Sequence, residues 1–204
     1  MKRKAVDIFS DWAKTGKDLG METGHSNAVD TMLELLLKDQ KKTFDFIDAG
    51  CGNGWVVRNV KKNKHSKIVI GVDGAKNMIK KAIKTDPTGK YYHTDLLKWS
   101  PAEKVDFVHS MEVLYYFRRP KTLVNHIISS WLKPGGKFIS GLDYYEENLD
   151  SHSWPTSLNT NMTLLPMEKW GELLKNCGLK NIKIFQANSS QTFIGTLVIY
   201  GEKE

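Results

Sequence analysis

The chain has 204 residues, 40% of them hydrophobic and 26% charged, with a formal net charge of +7. That length accommodates one domain with a sizeable core, the composition is that of a globular protein, and no apolar run is long enough to span a bilayer. The N-terminal stretch MKRKAVDIFSDW is basic, but Asp7 and Asp11 interrupt it and no apolar h-region follows, so it does not read as a signal peptide. Cys51 and Cys177 lack metal-site spacing and read as reduced thiols in a cytoplasmic protein. The lysines are scattered, as at Lys61, Lys62, Lys64 and Lys67 or Lys80, Lys81 and Lys84, without interleaved aromatic residues. They read as solvated helix faces rather than a nucleic-acid platform.

In chain order, residues 5–13 suit a short helix with Val6, Ile8, Phe9 and Trp12 partly buried. TGKDLGMETGHS then reads as a glycine-punctuated connection. Ser26 is placed to cap an amphipathic helix over residues 27–38, with Ala28, Val29, Met32, Leu33, Leu36 and Leu37 inward. Phe44, Phe46 and Ile47 suit a buried strand ending at Asp48. Gly50, Gly52 and Gly54 then alternate with Cys51 and Asn53, and Trp55, Val56, Val57 and Val60 continue at helical spacing. A second strand ends at Asp73, followed by a helix over residues 74–85 with Met78, Ile79, Ala82 and Ile83 as its apolar stripe. Tyr91 and Tyr92 form a short third strand closing at Asp95, and residues 105–110 a fourth. A helix over 123–132, a tight KPGG turn at 133–136 and a fifth strand over 138–142 follow. Residues 143–166 form a long loop rich in Asn, Ser and Tyr, and loops of that length are commonly functional. A helix over 167–177 ends at Gly178, and strands 181–187 and 191–201 close the chain as a hairpin about Asn188 and Ser189.

This alternation predicts an α/β fold: a doubly wound, mostly parallel seven-stranded sheet with a C-terminal antiparallel hairpin and helices on both faces. The whole of 1–204 reads as a single domain, with a helical cap over 1–40 and a substrate-side loop over 143–166. In such a sheet ligands sit outside the carboxyl ends of the strands at the switch point. The polar residues at those ends are Asp48, Asp73, Asp95 and Ser110. Asp73 follows Gly54 by 19 residues, where a carboxylate can accept both hydroxyls of a ribose. Asp95 can accept from an exocyclic amine such as that of adenine, with Leu96 packed on the ring. Trp55 stands where the dinucleotide fingerprint G-x-G-x-x-G needs glycine, which argues against NAD.

The segments DAGCGNG (48–54), GVDGAKNMIKKA (71–82), YYHTDLLKW (91–99), VDFVHSMEVLYYF (105–117) and LKPGGKF (132–138) together resemble the successive motifs of class I S-adenosylmethionine-dependent methyltransferases. The resemblance covers roughly residues 44–142. It implies S-adenosylmethionine as cofactor, S-adenosylhomocysteine as product, and no metal. It implies that Gly50, Cys51, Gly52 and Gly54 line the methionine part, with Asp48 and Asn53 also among the cofactor-binding residues. Asp73 would bind ribose, with Gly74 and Met78 beside the adenosine, and Asp95 and Leu96 would hold adenine. Ser110 and Met111 would face the amino-acid part and the methyl group. Where relatives that methylate adenine or glutamine amino groups carry Asn/Asp-Pro-Pro-aromatic, this chain has Ser110-Met111-Glu112-Val113. That departure argues against those substrates.

On the acceptor side the candidates are Trp12, His25, Tyr115, Tyr116, Tyr145, His152 and Trp154. His25, His152 and Tyr145 are the candidates for a catalytic role, the histidines because they titrate near working pH. The expected function is methyl transfer to a small-molecule acceptor by in-line displacement. The alternative is a methyltransferase or cofactor-binding protein acting on RNA or protein.

Overall fold

The computed structural model describes residues 2–204. Seven strands make one sheet in the order β3-β2-β1-β4-β5-β7-β6. They are β1 (Phe44–Ala49), β2 (Ser66–Asp73), β3 (Lys90–His93), β4 (Val105–Met111), β5 (Leu132–Leu142), β6 (Leu179–Ala187) and β7 (Thr196–Lys203). The first five pair in parallel, while β7 runs antiparallel between β5 and β6. The expected closing hairpin is therefore present, and it inserts its second strand next to β5. Its arms differ from the expected bounds: Gln191–Gly195 lie in the connecting loop, and β7 begins at Thr196.

The helices are α1 (Ala5–Thr15), α2 (Asp18–Leu37), α3 (Trp55–Val60), α4 (Lys76–Thr85), α5 (Pro120–His126), α6 (Trp154–Ser157) and α7 (Met167–Asn176). Val29, Met32 and Leu36 of α2, Val56 and Val57 of α3, and Ile79 and Ala82 of α4 pack with Phe44, Phe46 and Phe107 on one face of the sheet. Leu123 and Val124 of α5 and Trp170 and Leu174 of α7 pack with Ile47, Val108 and Phe138 on the other. Both faces of the central strands are thus covered, as a parallel sheet requires. α5 continues into a π-helical turn over Ile127–Trp131, where the fully buried Trp131 donates its indole N–H to Trp99 O at 2.9 Å. The KPGG turn is an insertion inside β5. Leu132 and Lys137 pair with Val105 and Phe107, so residues 133–136 loop out of the ladder.

The main difference from the sequence reading is α2. TGKDLGMETGHS is no open connection: a break at Gly16 (φ 78°) separates α1 from a helix that begins at Asp18 and runs through Gly20 and Gly24. Ser26 is interior to it, and its hydroxyl donates back to Thr23 O at 3.2 Å. Tertiary packing outweighs the glycines' poor helix propensity. Residues 143–166 hold a short 3₁₀ turn (Leu149–Ser151) and α6. This segment is tied to the N-terminus: Arg3 N–H donates to Asn159 O at 2.7 Å, and the Thr160 hydroxyl donates to Arg3 O at 2.8 Å.

Two glycines give opposite expectations. A Cβ on Gly20 would meet nothing within 4 Å, so Gly20→Ala should raise stability by about 0.5–1 kcal/mol through the helix backbone. Gly54 has φ +80°, and a Cβ there would lie 2.5 Å from the Tyr91 ring. Gly54→Ala should destabilise by more than the left-handed penalty of about 1–2 kcal/mol. Urea titration of both variants checks this, and a loss at Gly20 would contradict the helical assignment of residues 18–24.

Candidate functional site

The carboxyl ends of β1, β2 and β4 open into a cavity of about 690 Å³. Its floor is the loop Gly50–Asn53, in which Gly50 and Gly52 take left-handed φ values of 82° and 51°. A Cβ on Gly50 would come within 2.2 Å of Val113 Cγ2, so the segment after β4 also demands glycine there. Asp73 braces the loop. Its Oδ2 accepts from Gly52 N–H at 2.9 Å and its Oδ1 from Ala75 N–H at 2.6 Å. Burial pushes the Asp73 carboxyl up, against those two amide donors. Asn53 is buried; its amide donates to Asp18 Oδ2 at 2.9 Å, and its Oδ1 accepts from Trp55 N–H at the start of α3. Asp18 also takes Lys81 at 2.8 Å, so the N-terminus of α2 is fastened to both the glycine loop and α4. Beneath the loop, Asp48 accepts from His109 Nδ1 at 2.7 Å in a fully buried pair. The Cys51 thiol is pushed well up by burial and by Asp73 and Asp48, so it stays protonated and is no nucleophile.

A second cavity of about 870 Å³ adjoins the first. The two share Phe9, Met21, His25, Glu112 and Tyr116 as a common wall. Trp12, Tyr115, Trp154 and Phe193 add aromatic surface on the far side. In the shared wall lies a buried polar cluster. His25 Nε2 is 3.2 Å from Asp143 Oδ2, and His25 Nδ1 is 2.7 Å from Met21 O. Glu112 accepts at Oε1 from Asp143 N–H at 2.6 Å and at Oε2 from the Tyr115 hydroxyl at 2.5 Å. Glu112 sits in the left-handed region at φ 60°, a conformation that surrounding contacts must enforce in a non-glycine residue. Burial, with the charge of Asp143, pushes the Glu112 carboxyl up to about 8. Burial lowers the His25 imidazole, but its bond to Asp143 and the charges of Glu112 and Asp143 outweigh this and carry it to about 9.

Of the residues read from the sequence, Asp48, Gly50, Cys51, Gly52, Asn53, Asp73, Gly74, Met78, Asp95, Leu96 and Met111 line the first cavity. Two do not. Gly54 lies behind the loop against Tyr91, where it serves the turn into α3. Ser110 is fully buried and donates to Ala49 O at 2.9 Å, because strand alternation turns it away while Met111 faces the cavity. On the acceptor side Trp12, His25, Tyr115, Tyr116 and Trp154 line the second cavity. Tyr145 and His152 line neither. Tyr145 is buried, donating to Gly195 O at 2.7 Å, and so braces the turn before β7. His152 is exposed and bonded to Glu146 O. Neither position suits the catalytic role expected of it. Asp18, Glu112 and Asp143 were not singled out for roles by the sequence. An acidic residue directly after β4 and another directly after β5 were the available signal, since those places border a switch-point crevice.

The cluster dictates a pH response. His25 has a folded value near 9 against an ordinary 6.5, and Glu112 near 8 against 4.5. Both bind protons more tightly folded than unfolded. Glu112's contribution is full below 4.5 and His25's below 6.5; each is lost as pH rises through about 8 and about 9 respectively. The wild type should therefore lose more thermal stability between pH 6.5 and 9 than a His25→Gln/Glu112→Gln double variant. Parallel melting curves across that range would refute the coupling.

The comparisons agree with this geometry. A family model described as a methyltransferase domain matches residues 22–184. Two curated relatives are trans-aconitate 2-methyltransferases: one from Klebsiella pneumoniae, 23% identical over 65% of this chain, and one from Azoarcus, 29% identical over 44%. The matches span 54% and 35% of those relatives' lengths, so this chain matches about half of them or less. Among solved structures, a methyltransferase chain from the complex with the Haloferax volcanii Trm112 activator superposes with TM-score 0.85 at 25% identity, covering 96% of this chain and 97% of that one. The Bradyrhizobium japonicum N-methyltransferase NodS, solved with S-adenosylhomocysteine, superposes with TM-score 0.67 at 19% identity, covering 85% of this chain and 84% of that one. With that domain matched across most of its length and the seven-stranded sheet in place, the chain belongs to the class I S-adenosylmethionine-dependent methyltransferases.

Proposed function

We propose that this protein moves a methyl group from S-adenosylmethionine to a small molecule seated in the second cavity. The observation that carries this reading is the wall the two cavities share at Phe9, Met21, His25, Glu112 and Tyr116. The residues of the first cavity fit the cofactor. Its volume of about 690 Å³ falls in the range of small-molecule sites. Asp73 stands at the end of β2 to take ribose hydroxyls, Met78 and Leu96 offer apolar surface for adenine, and Asp95 can accept from its amine. The left-handed glycines leave a floor without side chains for the methionine part. The bound cofactor supplies an electrophilic methyl group on a sulfonium. The protein supplies alignment and exclusion of water.

Exclusion of water is a property of the cover. Lys2, Arg3, Lys4, Val6 and Phe9 from the N-terminus and Thr160 and Asn161 from the 143–166 segment close over the first cavity. The Arg3–Asn159 and Arg3–Thr160 bonds join the two parts. Opening this cover admits cofactor and acceptor, and closing it completes the site. The scattered surface lysines and the aromatic lining of the second cavity favour a small acceptor over RNA.

Asp73→Asn keeps the size of the side chain, removes its charge and leaves one oxygen to accept from either Gly52 N–H or Ala75 N–H. Affinity for S-adenosylhomocysteine should fall about tenfold or more, as expected for a lost charged hydrogen bond. Calorimetry with equal affinities would remove the ribose assignment, and preferential binding of NAD would remove the whole reading. Amide exchange in residues 2–24 and 143–166 should slow when S-adenosylhomocysteine binds, and no protection in either segment would contradict the cover.

A further inference from the structure

The second cavity carries information about the acceptor. Its body is aromatic, with Phe9, Trp12, Tyr116, Trp154 and Phe193 around it. Toward the cofactor cavity it presents Glu112 and His25, which both cavities share, and beside them Asp143, paired with His25. The remaining cation on this cavity, Lys17, is exposed. Glu112 has both oxygens engaged, by Asp143 N–H and by Tyr115. Asp143 does not: Oδ2 meets His25, while Oδ1 is buried without a hydrogen-bond partner among the described residues. Asp143 as a residue is 7% exposed. A buried carboxylate oxygen left unpaired is costly, and a small turn of the Asp143 carboxyl toward the cavity it lines would let a ligand's donor remove that cost.

Resting on the methyl-transfer reading above, we propose that the acceptor is a basic amine on an aromatic body, its nitrogen held by Asp143 beside Glu112 where the two cavities meet. An N–H of such an amine satisfies Asp143 Oδ1, and the surrounding rings favour a cationic head through their π faces. A polycarboxylate would instead bring only acceptor oxygens against Asp143 Oδ1, itself an acceptor, and would leave it unpaired. Transfer forms a carbon–nitrogen bond and breaks the methyl–sulfur bond. The amine first gives one proton to solvent water, which frees its lone pair; the electron pair of the broken bond remains on sulfur, and the product is the cationic methylammonium. The absence of Asn/Asp-Pro-Pro-aromatic after β4 fits a basic amine, whose lone pair is free once a proton is lost, rather than a planar amino group conjugated to a ring or carbonyl. The same three side chains bring ligand atoms within 4.8 Å of one another, which also describes a divalent-cation site. The aromatic lining and the engagement of both Glu112 oxygens favour the amine.

The test uses the full chain loaded with S-adenosylhomocysteine. Phenethylamine and tryptamine, and their carboxylate counterparts phenylacetate and indole-3-acetate, are titrated by calorimetry, then offered with S-adenosylmethionine for turnover. The amines should bind about tenfold or more tightly than the matched carboxylates. Asp143→Asn should erase that difference while leaving S-adenosylhomocysteine affinity unchanged. Should that variant fail to fold, Trp154→Ala supplies the second arm and should weaken the amines more than the carboxylates, since only the amines lose a cation–π contact. Equal or tighter binding of the carboxylates, no effect of either variant, or amine turnover that needs zinc or manganese and stops with chelator would overturn the proposal. Loss of S-adenosylhomocysteine binding in the wild type would instead overturn the methyl-transfer reading, and cofactor binding without amine binding would overturn this inference alone.

Discussion

β1 lies between β2 and β4, and the connections leave it in opposite directions. The chain passes from β1 through α3 to β2 and on to β3 at one edge, then returns to the other side of β1 as β4. Right-handed crossovers in a parallel sheet put the first connecting helices on one face and the later ones on the other. The loops above β1 and β4 therefore diverge, and the crevice between them cannot be filled by the sheet itself. Asp48, Asp73 and Met111 reach it because each stands at a strand's carboxyl end. The glycine loop is the one segment that must cross the crevice floor. Its conformation is held by Asp73 from the neighbouring strand as well as by its own glycines.

A second consequence lies one residue beyond β4. Val113 presses against Gly50, and this contact, with Asp143 N–H and Tyr115, holds Glu112 at positive φ. The glycine loop and the carboxylate cluster are thus mechanically one object. A side chain at position 50 would displace Val113 and with it the strained Glu112. Strain of this kind persists where surrounding contacts over-determine it, and here those contacts form the wall between two cavities.

The strand ends and the glycine loop were legible in the sequence because each has a local signature. Strand runs are β-branched and aromatic, three glycines alternate with small residues, and aspartates punctuate the ends. The doubly wound, mostly parallel character of the sheet followed from alternation plus the handedness rule. Ser110 and Gly54 were misjudged for a related reason: a motif gives neighbours in sequence, whereas alternation in a strand and the depth of a turn decide which of them face a cavity. The cluster of His25, Glu112 and Asp143 was not legible. Its members lie on α2, after β4 and after β5, and only the packing of α2 over the sheet brings them together.

α2 itself shows why that packing was hidden. From Asp18 to Asn27 its sequence has two glycines and no apolar stripe, and Asp18 is the only buried residue there. From Ala28 onward it carries Ala28, Val29, Met32, Leu33 and Leu36 into the core. The second half is a core helix by hydrophobic burial. The first half is helical by extension and is fastened by polar contacts, Asp18 to Asn53 and Lys81 at one end and His25 to Asp143 near the other. A segment held by a few directional bonds opens at less free energy than one held by a core. Those bonds join it to the glycine loop and to the shared wall. Asp18 and Asn53 line the first cavity and His25 and Asp143 the second, so this half-helix is held in place by the same side chains that form the cavity walls.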